Sequence, residues 1–337
     1  MRTFKHQALV KLLQAVKRTN YNFTTITPLS HATVNARPGN QWVKINQAFA
    51  TPHLANTPNR ILCEIFGWSR AFHQIDLNPA IFELMLEADV LSPYQNGWLS
   101  TIRISTFEDK TFGRQFFIHS AYPTNQEDSV FFGPDTYRYL HEINIQNNSN
   151  FTVKRAIDIG TGAGPAAILI GLQHPQAEVY AVDINHRALE LTSVNAEVAN
   201  ATNVIPIYSD LLSGLDGKFD LITANPPYLV DQDQRAYRHG GGDFGASLSF
   251  AIVESSIPRL SPGGSLLLYS GVAINEGIDA FRNQVQNHLL TLPMSQYLKW
   301  SYREIDPDIF GEELSNACYD ETDRIAAVVL IITNHES

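Results

Sequence analysis

The second half of the chain alternates regularly between short apolar runs of β-branched character and helix-spaced apolar segments. Arg155 to Gly160 (RAIDIG), Glu178 to Asp183 (EVYAVD), Asn203 to Tyr208 (NVIPIY), Phe219 to Ala224 (FDLITA) and Ser265 to Ser270 (SLLLYS) read as strands. Pro165 to Leu172, Arg187 to Val198 and Leu248 to Leu260 read as the helices between them. Strand alternating with helix predicts an α/β fold with a mostly parallel sheet covered on both faces. Two more apolar runs, around Lys299 to Ile305 and Ile325 to Ile332, have no helix pattern between them and are expected to pair as an antiparallel hairpin at the sheet edge. The first third reads differently. Leu9, Leu12, Leu13 and Val16 share one face of an amphipathic helix over residues 6 to 18, and a Thr/Pro/Asn-rich passage follows to about Asn59. Arg60 to Gly67 and Pro79 to Leu86 form short helices, the latter with Asn78 as cap and Pro79 in the first turn. Trp98 to Ser105 and Arg114 to His119 then suggest one hairpin across Glu-Asp-Lys. That order is compatible with a winged-helix-like α+β domain over 1–125, leaving 126–337 for the α/β domain.

Composition narrows this picture. With 337 residues, 44% hydrophobic, 17% charged and two Cys, the chain is neither disordered, nor collagen-like, nor a disulfide scaffold. Its formal net charge of −10 argues against a polyanionic partner, but the charge is unevenly spread. Residues 1 to 63 hold eight Lys/Arg and no acid before Glu64, which leaves 16 basic against 34 acidic residues in the remainder. A basic pole of that kind suits a nucleic acid. Basic residues interrupt every N-terminal apolar stretch, and no run reaches the roughly 18 apolar residues of a membrane span, so a cytoplasmic location without membrane attachment is expected. Cys63 and Cys318 are expected to be reduced thiols, and no metal site is expected.

The chemistry concentrates at the strand ends. The first strand of the α/β part runs into Asp158-Ile159-Gly160-Thr161-Gly162-Ala163-Gly164 and then a helix, a turn whose backbone N–H groups can meet a polar ligand. Nicotinamide and flavin enzymes share such turns, but their fingerprint is G-x-G-x-x-G and this one is G-x-G-x-G. Asp183 ends the second strand about 20 residues on, where a carboxylate can accept from both ribose hydroxyls. Ser209-Asp210 follows the third strand, within reach of an adenine amine. Asn225-Pro226-Pro227-Tyr228 ends the fourth. The prolines stiffen the loop and leave carbonyls free. The Asn225 side-chain oxygen and a proline carbonyl can accept both hydrogens of a planar NH₂, and Tyr228 can stack on its π face. Such a nitrogen is a poor nucleophile, so gripping its N–H bonds and aiming its lone pair at an electrophilic methyl group is mainly orientation and electrostatics.

This ordered set resembles the class I S-adenosylmethionine-dependent methyltransferases, and NPPY places it near their N-methylating branch. The similarity is greatest to the release-factor glutamine methyltransferases and their small-domain relatives, which act on protein glutamine, rRNA or DNA bases. It covers roughly Ser129 to Asn334 and includes Phe131-Phe132-Gly133-Pro134-Asp135-Thr136 and Ser261-Pro262-Gly263-Gly264. The resemblance implies a doubly wound, mostly parallel seven-stranded sheet of Rossmann-like type. It further implies that Asp158, Gly160, Thr161, Gly162, Gly164, Asp183 and Ile184 hold S-adenosylmethionine, and Asp210 and Leu211 its adenine. Asn225, Pro226, Pro227 and Tyr228 would take the target nitrogen, with Asn225 also touching the donor. Two departures bear on substrate. Gly241-Gly242-Asp243-Phe244-Gly245 has Phe244 where the glutamine enzymes carry Asp in Gly-Gly-x-Asp-Gly, and the N-terminal portion is longer than their small helical domain. Together with the basic pole, these rank a nucleic-acid base first as acceptor, with protein glutamine, a small-molecule amine, or a non-catalytic binding module as alternatives. Asp306 to Glu313 is expected to be an acidic surface loop, a solvated connection ahead of a segment near the substrate side. His239, Asp231 and Asp233 are expected to be loop residues, and Phe112, Phe116 and Phe117 core rather than a base-stacking platform.

Overall fold

Helix caps and β-branched runs set the elements of a computed structural model that describes residues 2–44, 59–146, 152–230, 240–242 and 245–336, with side chains from residue 5. The chain divides into two compact units. The first comprises Met1–Tyr137, Gly162–Gly164 and Glu190–Thr202, and the second Arg138–Thr161, Pro165–Leu189 and Asn203–Ser337.

In the first unit, α1 (Arg2–Lys17) buries Leu12, Leu13 and Val16 completely, together with Ala8 and Val10, while Leu9 is half-buried. Thr27 caps α2 (Pro28–Asn35), and α3 (Arg60–Leu62) continues as a π-turn over Cys63–Gly67. Asn78 caps α4 (Pro79–Glu87) by accepting from the Ala80 N–H at 2.9 Å, with Pro79 at the first position. The expected single hairpin is two ribbons: β1 (Leu91–Tyr94) pairs with β2 (Gly97–Ser100), and β3 (Ile102–Asp109) with β4 (Gly113–Ser120). The break has a local cause. The Ser100 hydroxyl accepts from the Ile102 N–H and donates to the Ile102 carbonyl, turning the chain between β2 and β3. The unit is α+β as expected, but carries two ribbons where a winged-helix-like order has one. Phe116 and Phe117 lie in its core and Phe112 is half-buried.

Folding also redistributes the basic segment. Lys5 pairs with Asp89, His6 with Glu197 and Arg60 with the buried Glu64, while Lys17 donates to the Val198 carbonyl. The first unit as a whole holds twelve Lys/Arg and twelve Asp/Glu, and the second twelve against twenty-two. The molecule's net charge of −10 therefore lies entirely in the second unit. Over the first unit as a whole, the basic residues of 1–63 are matched in number by acidic residues that follow them in sequence.

The second unit is the α/β half. After α5 (Pro134–Gln146) come β5 (Arg155–Ile159), α6 (Pro165–Gln173), β6 (Glu178–Asp183), α7 (His186–Ala199), β7 (Val204–Tyr208) and β8 (Phe219–Ala224). Then follow α8 (Ser247–Ser256), β9 (Leu260–Asn275), β10 (Ile278–Asp279), α9 (Ala280–Thr291), β11 (Leu298–Asp306) and β12 (Arg324–Asn334). The sheet order is β11-β12-β9-β8-β5-β6-β7, with β10 added to β9. The five strands from β9 to β7 are parallel, and β12 and β11 run antiparallel, as the two late apolar runs predicted. Of these two only β11 is an edge strand, because the fully buried run Ile325 to Leu330 of β12 lies between β9 and β11. Strand β9 is longer than SLLLYS: Ser261 to Gly264 fall inside it, at a register irregularity opposite Phe219 and Leu221. Ile157, Val182, Ile222, Leu266, Leu268 and Val328 form the sheet's core with Ile252 and Val253 of α8 and Phe281 and Val285 of α9.

Candidate active site

The register of the parallel strands places the site. Ile159 lies level with Val182 on one side and Ala224 on the other, so Gly160, Asp183 and Asn225 are the next residues on three adjacent strands. Adjacent strands are about 4.8 Å apart, so these three residues form one row at the carboxyl ends of the sheet. Tyr208 is level with Asp183 on the fourth strand and leads into Ser209 and Asp210.

Asp158 sits just below this row, 2% exposed. Its Oδ1 accepts from the Tyr139 hydroxyl at 2.7 Å and the Thr223 hydroxyl at 3.0 Å, and its Oδ2 accepts from the Thr161 hydroxyl at 2.7 Å. Burial pushes its carboxyl up to about 6 although all three hydroxyl bonds favour the anion. Asp158 thus fixes the start of the glycine turn. The glycines beyond it have different tasks. Gly160 has φ +66, and a Cβ there would meet nothing within 4 Å, which leaves space above the row of strand ends. Gly164 has φ +81, and a Cβ there would lie 2.7 Å from Thr192 Cγ2, so this residue serves close packing against α7. Gly162, at φ +57, is held through its carbonyl, which accepts from the Thr192 hydroxyl at 3.0 Å.

The Asp183 Oδ1 accepts from the Asn185 N–H at 2.9 Å as α7 begins. Beside it, Ile184 is 50% exposed and Tyr208 is 54% exposed, the latter stacked on His186 with ring centroids 4.9 Å apart. Asp210 is exposed, and Leu211, at φ +50, is half-buried. The half-buried Asp183 and the exposed Asp210, with Ile184 and Tyr208 beside them at two successive strand ends, fit a ribose and a flat heterocycle. A Cβ at Gly160 would meet no other atom, so the backbone there is open to a ligand, and this donor set fits S-adenosylmethionine.

Asn225 is half-buried and follows β8 directly. Tyr228 is only 6% exposed: its ring lies over Gly271, where a Cβ would come 2.3 Å from ring atoms, and faces Phe310 at 6.2 Å. Tyr228 is thus a packed ring that anchors the loop, which departs from the open stacking face expected for it. Behind the loop, a Cβ on Gly240 would lie 2.7 Å from the Pro227 carbonyl oxygen, and one on Gly245 2.1 Å from the Tyr228 oxygen. The glycine-rich stretch therefore lets two backbones touch, with the Gly240 N–H donating to the Leu229 carbonyl at 2.8 Å. The Val230 N–H donates to the Tyr319 hydroxyl at 2.9 Å. Through Phe310 and Tyr319, the stretch around the acidic loop borders NPPY, so it is packed rather than merely solvated, and its Asp306 pairs with Arg138 at 2.7 Å. Asp231, Asp233, His239, Asp243 and Phe244 lie outside the described residues.

Tyr139, Thr223, Gly271, Phe310 and Tyr319 went unread in the sequence. Gly271 alone leaves a signal there, as an isolated glycine in an apolar strand. Among the described residues no cluster of His, Cys, Asp or Glu is placed to hold a metal ion, and no helix is long and apolar enough to cross a membrane. Both cysteines are free, and burial pushes the Cys63 thiol up to about 11.

Residues 141–271 match the family model of the methyltransferase small domain. With the sheet order and the strand-end row, this match supports a class I S-adenosylmethionine-dependent methyltransferase fold for that part of the chain. A release factor glutamine methyltransferase of Deinococcus radiodurans is 34% identical over 145 residues, 40% of this chain and 51% of that protein. A ribosomal protein uL3 glutamine methyltransferase of Neisseria meningitidis is 35% identical over 130 residues, 35% of this chain and 43% of that protein. The chain spans about half the length of the curated relatives it matches. Among solved structures, a tRNA m1G37 methyltransferase of M. jannaschii aligns over 70% of this chain and 58% of its own, with 17% identity and a TM-score of 0.46.

Proposed function

We propose that the protein transfers a methyl group from S-adenosylmethionine to the side-chain amide nitrogen of a glutamine in a protein substrate. The observation that carries this reading is the level placement of Asn225 and Gly160 on adjacent strands, which sets an amide-gripping loop beside the donor turn. The choice of glutamine over a nucleic-acid base, the acceptor ranked first from sequence, rests on two further points. The first unit has no excess of basic residues, and the relatives at 34% and 35% identity are named for glutamine methylation.

Bound S-adenosylmethionine supplies a methyl group on a positively charged sulfur. The chain does the rest. Asp183 would accept from the donor's ribose hydroxyls, Ile184 and Tyr208 would border its adenine, and Asp210 with Leu211 would lie at the amine edge. Asp158, held by three hydroxyls, keeps the turn through Thr161 and Gly160 in place. The Asn225 side-chain oxygen and a proline carbonyl of the loop accept the two N–H hydrogens of the target amide, favour pyramidal nitrogen and aim its lone pair. The Tyr228 ring, anchored by Gly271 and Phe310, keeps the loop from drifting.

Incubation with radiolabelled S-adenosylmethionine and fractionated cell extract, treated separately with protease and nuclease, tests the reading. Protease-sensitive label that digests to N5-methylglutamine is the expected result. Nuclease-sensitive label would overturn it in favour of a base amine.

A further inference from the structure

Helix α7 holds the donor turn by its carbonyls. Thr192 and Asn195 stand three positions apart on one face of that helix, and both are completely buried. The Thr192 hydroxyl donates to the Gly162 carbonyl at 3.0 Å, and the Asn195 Nδ2 donates to the Ala163 carbonyl at 2.8 Å. Two successive carbonyls of the turn therefore point at α7. Both peptides are trans, so the N–H groups that share them, on Ala163 and Gly164, point the opposite way.

The residue types suit this task closely. The Asn195 Nδ2 serves the carbonyls of both Ile118 and Ala163, while its Oδ1 accepts from the Ile118 N–H. A carboxylate in its place would set an oxygen against two carbonyls, and an aliphatic side chain would leave both carbonyls bare. On the other side of the turn, the Ala163 N–H has no acceptor among the described residues, although Ala163 is only 1% exposed. A backbone N–H in so closed a place normally has a partner. With the Gly162 carbonyl fixed against Thr192, that peptide cannot turn to find one within the chain.

We propose that Thr192 and Asn195 are positioning residues for S-adenosylmethionine. Neither needs to touch it. By holding the carbonyls of residues 162 and 163, they keep the N–H groups of the turn aimed at the donor before it arrives, which lowers the ordering cost of binding. This role concerns donor binding alone and does not depend on which acceptor nitrogen is methylated.

Calorimetry with S-adenosylhomocysteine on the full chain tests the role. Thr192→Val keeps the shape of the side chain but removes the hydrogen-bond donor, and is expected to weaken affinity about tenfold. Thr192→Ser keeps the hydroxyl and removes the methyl group, and is expected to bind within about twofold of the wild-type chain. A role in packing alone gives the reverse order, because only the serine leaves a void beside Gly164. Wild-type affinity in Thr192→Val, or equal weakening in both variants, overturns the proposal. Amide hydrogen exchange on the wild-type chain gives a second reading that needs no variant to fold. S-adenosylhomocysteine is expected to slow exchange at Ala163, and an unchanged rate there with the ligand bound also overturns the proposal.

Discussion

Gly271 lies under the ring of Tyr228 so closely that one added carbon would stand 2.3 Å from two ring atoms. A buried glycine on β9 thereby sets where the loop after β8 can run. Gly271→Ala is expected to displace Tyr228 and with it Asn225. Overpacking of this kind costs about 1–3 kcal/mol. Urea unfolding should report that loss, and methyl-transfer assays should fall more steeply than S-adenosylhomocysteine affinity measured by calorimetry. Unchanged turnover in a destabilised variant would confine Gly271 to a packing role.

Asn225→Ala is expected to lower turnover by a factor of about 100 or more, the usual effect of removing one fixed group that stabilises a transition state. Donor affinity should stay nearly intact. Equal loss of donor affinity and turnover would count against the assignment of Asn225 to the target nitrogen.

The two glycines at either end of the donor turn should separate by measurement. Gly160→Ala places a methyl group in open space, at a φ that costs about 1 kcal/mol for an L residue, so its main effect is expected on S-adenosylmethionine affinity. Gly164→Ala meets Thr192 at 2.7 Å and is expected to lower stability by roughly 2 kcal/mol or more. Thermal unfolding with and without S-adenosylhomocysteine distinguishes the two.

Asp158 carries a pH signature. Burial raises its carboxyl from the usual 3.8 to about 6 in the folded state, so between those values the folded chain holds a proton that the unfolded chain releases. Its contribution to stability is present below about pH 4 and is lost as pH rises through 6. The loss is about 3 kcal/mol at 1.36 kcal/mol per pH unit. Urea unfolding at pH 4 to 7 should show this slope, and Asp158→Asn, which does not ionise, should lack it, so that the difference between the two proteins isolates the Asp158 contribution.

Lys11, Arg18 and Arg37 remain exposed on the first unit. Replacing all three by Glu is expected to leave transfer to a protein substrate within about twofold, because exposed charges away from a contact matter little. A nucleic-acid substrate would instead show weaker binding and a shallower salt dependence.

The parallel half of the fold was legible because each strand is a short β-branched run and each helix follows a glycine or capping signal. Asp158, Asp183, Asp210 and Asn225 could be placed because strand carboxyl ends fall where such runs stop. What stayed hidden depends on distant partners. Phe310 and Tyr319 lie more than 80 residues after the loop they support, and nothing in their own neighbourhood marks them. The partners of the basic N-terminus were hidden for the same reason: Asp89 and Glu197, which meet Lys5 and His6, lie 84 and 191 positions away. The ribbon β1–β2 was missed because one serine hydroxyl, rather than a Gly or Pro, interrupts the run Trp98 to Ser105.

Asn195 gives the molecule an indivisible part. Its side chain accepts from the Ile118 N–H at 2.9 Å, and donates to the Ile118 carbonyl at 3.0 Å and to the Ala163 carbonyl at 2.8 Å. One residue of α7 thus closes β4 onto the glycine turn, within the unit that takes in both. Residues 1–125 are therefore not separable at their end: a cut after residue 125 would take away Ile118 and leave Asn195 and Ala163, which belong to the same unit, behind, so the two stretches of chain can be exchanged only together.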